Sequence, residues 1–356
     1  MSDCECECKP MNEKVLPEKK FHYIEDHYVF KDKIYPKVKT LLSFKDRFDS
    51  IKVRWGWNRM GYSIKPGLYA LGNPDETSAV LVSANYKLTF DHLRKELSGL
   101  NLWILILDTK AVNVWCAAGK GTFGTNELIN KINNVGLDQV ITHKKIILPQ
   151  LGAVGVKAHE ITKSTGFQVI YGPVYAHDIP NFLKNNLSKD SKMKKIHFNF
   201  YERLVLVPIE IVGNKRLLFI LLGIGFILEW ISLSKLSFSM TRSFIPLIGA
   251  FLAGTVLGPV LLPYFPFASF ALKGYLIGLI WIAIYGLIAK LSIILFIAYA
   301  LALPVITSYL TLNFTGASTF THLTGVKFEI KLTTPVFLIF LFSGFTIKLL
   351  NALKVI

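Results

Sequence analysis

Apolar residues are spread very unevenly along this chain. Up to residue 216 they come in short runs broken by polar and glycine-containing stretches, and beyond it they dominate. Leu217–Leu233 and Phe244–Leu262 are each long enough to cross a bilayer, allowing for tilt. From Ala271 to Tyr309 the only charged residues are Lys273 and Lys290. As one helix these 39 residues would reach about 58 Å at roughly 1.5 Å per residue, against a hydrocarbon core of about 30 Å. They read as two spans, 272–289 and 291–310, meeting at Lys290. Pro335–Leu353 makes a fifth. Pro246, Pro259 and Pro304 are expected to kink their helices. Glu229 and Lys348 stand near span ends, where long polar side chains reach out to the membrane surface. With so few ionisable groups inside the spans, this part reads as anchor and scaffold rather than as a transport path.

The first part has a shorter rhythm. Leu100–Leu107 is an unbroken apolar run of the length of a buried parallel strand. A helix is expected over Asn126–Asn134, with Thr125 as N-cap and Gly136 just past its end. Upstream lie a strand at Ala79–Ser83 and a helix at about Phe90–Leu97, linked by Ala84–Thr89, which mixes polar and aromatic groups. Downstream, strands are predicted near Gln139–Thr142, at Lys145–Pro149 and at Gln168–Tyr171. The loops Gln150–Val156 and Gly172–Val174 follow the last two. Helices are expected from Lys157 and from Asp178, the latter with Pro180 in its first turn. Strands alternating with helices, with glycines at the strand ends, indicate an α/β domain with a mainly parallel sheet. Residues 196–212 alternate like an exposed strand and lead through Asn214-Lys215-Arg216 into the spans. The expected organisation is a polar tail over 1–20, an α/β domain over 21–195, a linker strand over 196–216 and five transmembrane helices over 217–356.

Charge modifies this picture little. The formal net charge is +16, but residues 217–356 hold 8 Lys+Arg and 2 Asp+Glu, leaving 32 and 22 scattered over the first part. This is a solvated surface beside anionic lipid, not a nucleic-acid site. The cysteines are Cys4, Cys6, Cys8 and Cys116, too few and too poorly spaced for a disulfide framework, which fits a reducing compartment. The charged N-terminus has no hydrophobic export segment. The expected location is therefore the inner (cytoplasmic) membrane, multi-pass, with the N-terminal domain cytoplasmic.

Candidate chemistry centres on Asn113-Val114-Trp115-Cys116-Ala117-Ala118-Gly119-Lys120 and its continuation Gly121-Thr122-Phe123-Gly124-Thr125, in a strand-to-helix loop. Residues 119–124 satisfy G-x-G-x-x-G, but no acidic residue follows at the distance a dinucleotide site needs. Taken alone, Cys116 has three readings: a structural thiol, a nucleophile served by His143 or His159, or a metal ligand. Cys4, Cys6 and Cys8 read either as a soft-metal trap, for Hg(II) among others, or as an incidental flexible tip.

Residues 113–120 resemble the signature N-V/I-W-C-A-A/S-G-K of the mercury-methylating corrinoid protein family (HgcA). Further similarity covers Ala84–Phe90, the run through Thr125, Leu148–Glu160, Tyr171–Val174 and Asp178-Ile179-Pro180. Together these look like one Rossmann-like corrinoid-binding domain over about residues 80–185. That domain is shared with the large subunit of the corrinoid iron–sulfur protein of the acetyl-CoA pathway, which has threonine where this chain has Cys116 and lacks a multi-span tail. The resemblance implies a corrinoid (cobalamin-type, cobalt) cofactor with the Cys116 thiolate as lower axial ligand, the lever by which a protein tunes such a metal. It implies methyl transfer from methylcobalamin to Hg(II), giving methylmercury. Implied partners are a small ferredoxin-like iron–sulfur electron donor, a methyltetrahydrofolate-dependent methyl donor system and the lipid bilayer. Implied cofactor contacts are Asn113, Trp115, Cys116, Ala117, Gly119, Lys120, Gly121, Thr122, Phe123 and Gly124, with Asn85, Thr89, Gln150, Gly152, Ala153, Gly155, His159, Tyr171 and Gly172. Two alternatives remain: a membrane-bound corrinoid methyl carrier of one-carbon metabolism, and a non-enzymatic membrane metal-binding or sensing protein.

Overall fold

The computed structural model describes residues 21–232, 241–314, 323–353 and 355. The tail with Cys4, Cys6 and Cys8 lies outside them. The chain forms two compact units, one of Met60–Lys195 with the segment up to Phe48, the other of Asp49–Arg59 and Ile196 onward.

The first unit is built on a seven-stranded sheet. Its strands are β1 (Ile24–Phe30), β2 (Lys33–Val38), β3 (Gly67–Leu71), β4 (Val80–Ala84), β5 (Leu102–Leu107), β6 (Lys145–Leu148) and β7 (Gln168–Tyr171), in the order β1-β2-β3-β5-β4-β6-β7. β5, β4, β6 and β7 are parallel, and β3 runs antiparallel to β5. All six residues of β5 are buried because both faces are covered. Trp103, Leu105 and Leu107 pack with Phe123, Leu128 and Ile132 on one face. Ile104 and Ile106 pack with Phe90, Leu97 and Phe182 on the other. The β1–β2 hairpin carries no Asn-Gly signal; it turns on Lys31 and Asp32, both left-handed (φ 48° and 62°), as a twisted two-residue turn requires.

Three local expectations need correction. Gln139–Thr142 is not a strand: Leu137–Val140 is a helical turn entered from left-handed Gly136, and Leu137 and Val140, three apart, both face the core. Thr125 does not cap the next helix, Thr125–Val135, because Gly124 holds the cap position. Its Oγ1 instead accepts the Lys157 amide at 3.0 Å. Residues 196–212 are helical, over Phe200–Leu204 and Val207–Gly213. Asn199 and Glu202 form a capping box at 3.0 and 2.8 Å, and Pro208 sits in the first turn of the second helix; these signals outweigh the apparent alternation.

In the second unit, Phe244–Tyr264, Phe270–Ala289, Ile293–Asn313 and Thr324–Ala352 are long and apolar enough to cross a membrane. A fifth crossing results if Phe200–Gly213 and Lys215–Ile231, bent by 58°, count together. The break expected at Lys290 is there, with that residue left-handed (φ 47°) and capping the preceding helix. The helices on either side of it approach closely through small residues. A Cβ on Gly278 would lie 2.5 Å from the Pro304 Cα, and one on Gly274 2.6 Å from the Ser308 Cα. A π turn at Ala253–Leu257 precedes Pro259, which lacks the N–H a regular turn would use. Lys348 does not reach outward: it is buried, with Nζ 5.7 Å from the centre of the Tyr299 ring.

Candidate functional site

The loop after β5 is held at its centre by Asn85, with Glu127 accepting the Asp108 amide at 2.8 Å. Asn85, at the end of β4, accepts from the Thr109 amide (3.1 Å), the Thr109 hydroxyl (2.8 Å) and the Ala111 amide (3.1 Å), and donates to Asp108 (3.1 Å). These bonds fix Lys110 and Ala111 in left-handed backbone (φ 57° and 58°), which non-glycine residues adopt only when held there. Burial raises the Asp108 carboxyl, but bonds from Lys110 and Asn85 outweigh it and keep the group below the usual carboxylate range. Asn85 is 5% exposed and bonded on both its oxygen and its nitrogen. These bonds make Asn85 a builder of the loop.

That loop is shorter than the sequence suggests: Val114–Lys120, expected to be part of it, is a helix. The Asn113 side chain caps it by accepting the Cys116 amide at 2.9 Å. Val114, Ala117 and Ala118 turn into the core, which leaves Trp115, Cys116, Gly119 and Lys120 facing outward. Cys116 and Gly119, three apart, are neighbours on this face. A Cβ on Gly119 would meet nothing within 4 Å. An exposed thiol therefore stands beside a patch of bare helix backbone. Gly121 ends the helix in the left-handed region (φ 80°).

Exposure removes the structural-thiol reading of Cys116. His143 is engaged elsewhere: its ring nitrogens face the Ser78 carbonyl at 3.0 Å and the Lys145 amide at 3.2 Å. His159 is exposed and lies 3.9 Å from Glu160. Among the described residues, no group of three or more His, Cys, Asp or Glu side chains could hold a metal ion. A metal at Cys116 would have to bring its other donors with it, as a macrocycle does.

The other glycine loops pack on the protein itself. A Cβ on Gly155 would clash with the Phe123 carbonyl oxygen, one on Gly152 would lie 2.6 Å from the Phe123 ring, and one on Gly124 2.6 Å from the Gly121 carbonyl oxygen. Phe123 and Ala117 are fully buried. These five residues, which the resemblance implies as cofactor contacts, also pack against one another and the neighbouring loops. The Gln150–Val156 loop is tied down by the Tyr171 hydroxyl, which donates to the Val156 carbonyl at 3.0 Å, and by Lys189, which donates to Gln150. Burial raises the Tyr171 phenol and lowers the Lys189 ammonium. Thr122 and Ala153 are half-buried and His159 is exposed.

From β4 the chain moves to β5 on one side and then crosses over to β6 on the other. The gap between β4 and β6 is thus a topological switch point, where open α/β sheets bind ligands. A cleft of about 400 Å³ opens there. Its lining includes Ser83, Thr89, His92, Glu96, Asn113, Trp115, Leu148, Gly172, Tyr175 and His177. Of the expected residues, Thr89, Asn113, Trp115 and Gly172 meet in this cleft. His92, Glu96, Tyr175 and His177 were not anticipated, although Thr89, His92 and Glu96 share one face of a helix at three- and seven-residue spacing.

That helix, Lys87–Glu96, is anchored by its other face. Lys87 lies 2.6 Å from both Asp46 and Asp91, and Arg94 lies 2.8 Å from Asp91 and 2.9 Å from Asp46. All four side chains are buried. Burial alone raises the Asp46 carboxyl, but bonds from Lys87 and Ser43 more than offset this and hold it far below the usual carboxylate range.

Residues 58–183 match a family model described as the CO dehydrogenase/acetyl-CoA synthase delta subunit. The acetyl-CoA decarbonylase/synthase complex subunit gamma of Methanocaldococcus jannaschii is 33% identical over 135 residues, which is 37% of this chain and 27% of that protein. The corresponding subunit of Methanopyrus kandleri is 28% identical over 123 residues, 34% of this chain and 26% of that protein. The corrinoid/iron-sulfur protein large subunit of Moorella thermoacetica is 30% identical over 127 residues, 35% of this chain and 28% of that protein. The chain thus spans about a quarter of the length of these relatives. The matched stretch holds β4 to β7, Cys116 and the cleft, and none of the apolar helices.

Proposed function

We propose that this protein binds a corrinoid on the face carrying Cys116 and works in methyl transfer at a membrane. The observation that carries the reading is the exposed Cys116 thiol beside the bare backbone of Gly119, on a domain similar to those of corrinoid proteins. A bound corrinoid supplies a methyl group carried on cobalt. The chain's part is to present one soft donor, Cys116, to a metal whose remaining ligands come with the ring. Asn113 fixes the height of that thiol by capping its helix, and Gly119 leaves room for a flat macrocycle to come close. Lys120 and Trp115 border the same face.

The relatives by themselves favour a methyl carrier of one-carbon metabolism. Cys116 favours a further step, with Hg(II) as methyl acceptor. As a ligand to cobalt, the Cys116 thiolate would supply electron density that favours giving up the methyl group to a soft, electron-poor metal ion, with the electron donor restoring the cobalt. The matching partners are an iron–sulfur electron donor and a one-carbon methyl donor.

The test uses the full chain in detergent, reconstituted anaerobically with methylcobalamin, as wild type and Cys116→Ala. The expected result is a thiolate-ligated spectrum that disappears in the variant, and methylmercury formation that falls with it. Identical spectra would remove Cys116 as ligand and leave the carrier reading. An unchanged ligand spectrum without methylmercury would remove mercury as acceptor.

A further inference from the structure

The helix Phe44–Arg54 is folded with its polar side inward. Asp46 and Val53 are buried, while Phe44, Phe48 and Ile51 are 83%, 48% and 54% exposed. Trp55, whose amide bonds the Ile51 carbonyl at 3.1 Å, continues the turn and is 49% exposed; Trp57 beyond it is 75% exposed. At about 100° per residue, positions 44, 48, 51 and 55 fall within an arc of about 60°. Lys45 and Lys52 border this arc on one side, Arg47 and Arg54 on the other. Asp46 lies opposite, tied at 2.6 Å to Lys87, 2.9 Å to Arg94 and 2.7 Å to His22. The buried ion network therefore fixes which way the helix faces and forces its apolar stripe outward.

We infer that this stripe lies in the headgroup region of the bilayer, as an interfacial helix. A contiguous exposed aromatic and aliphatic face needs an occupant. Three observations select lipid. Basic residues flank the stripe on both sides, the arrangement that pairs an apolar face with anionic headgroups. Two tryptophans stand at its end, the residue type that settles at membrane–water boundaries. The segment Asp49–Arg59 also belongs to the same compact unit as the apolar helices, and a Cβ on Gly56 would lie 3.2 Å from Val212, next to the entry of the Lys215–Ser232 helix. The inference is independent of what the protein binds at Cys116.

The test is fluorescence quenching on the full chain in vesicles of phosphatidylcholine and phosphatidylglycerol. Wild type is compared with the conservative double variant Trp55→Phe/Trp57→Phe, so that the difference emission belongs to these two rings. Lipids brominated near the headgroup end of the acyl chains should lower that difference emission about twofold or more, while aqueous acrylamide leaves it largely intact. In a second variant, Phe48→Glu/Ile51→Glu, lipid quenching should fall and acrylamide quenching rise. Quenching by acrylamide and not by lipid in the wild type would overturn the inference. So would shielding from both quenchers, which would assign the face to a protein partner or a second copy.

Discussion

Glycines that look alike in the sequence do different work. Gly119 faces open space in a helix, so Gly119→Ala should leave stability unchanged or raise it by up to about 1 kcal/mol, since alanine is the better helix former. If a ring docks on this face, the same variant should weaken corrinoid binding severalfold; titration and thermal unfolding of one preparation separate the two effects. Gly155→Ala should do the reverse. Its Cβ would press on backbone atoms of Phe123 and Ala118, so the loop must shift, and the unfolding midpoint should drop. The resemblance implies Asn85 as a cofactor contact; in the structure its bonds hold two left-handed residues ahead of Asn113. Asn85→Ala strands the Thr109 and Ala111 amides, and should cost about 2–4 kcal/mol in denaturant unfolding.

The Lys87–Glu96 helix joins the buried ion network to the cleft. Lys87, Asp91 and Arg94 hold one face, and Thr89, His92 and Glu96 offer the other. Rigidity on the first face sets the position of the second. The Asp46 carboxyl titrates lower in the folded than in the unfolded chain. Its stabilising effect is complete above an unfolded-state pKa of about 4 and is lost as pH falls below it. Asp46→Asn leaves the buried Lys87 and Arg94 short of a counter-charge, and should destabilise the protein by about 3–5 kcal/mol near neutral pH. The gap between variant and wild type should narrow once the pH drops below about 4. Unfolding curves across this range check both statements.

For the whole molecule, the count of crossings decides where the C-terminus lies. If the bent pair Phe200–Gly213 and Lys215–Ile231 crosses once, there are five spans. An alkaline phosphatase fused to the C-terminus should then be active outside the cell, and a fusion after Lys290, beyond three spans, should be active there as well; inactivity of the C-terminal fusion would indicate four crossings. The sequence by itself determined the apolar helices and the break at Lys290, because a bilayer sets a fixed length and one helix over 271–309 would be about twice that length. It also determined the parallel strands and that Cys116 follows β5, since these are local matters of apolar run length; it did not show that Cys116 stands on a helix, Val114–Lys120, and not in a loop. It did not show the β1–β2 hairpin, whose turn has no distinctive residues, or the helical turns at 137–140 and 200–213, where caps and spacing override alternation. Which glycines face open space and which press on Phe123 depends on contacts between loops far apart in the chain. The cleft depends on strand order, which places the ends of β4 and β6 side by side although some 60 residues separate them. The inside-out helix at Phe44–Arg54 is likewise a tertiary fact. Its pattern fits either orientation, and only the pairing of Asp46 with Lys87 and Arg94 chooses between them.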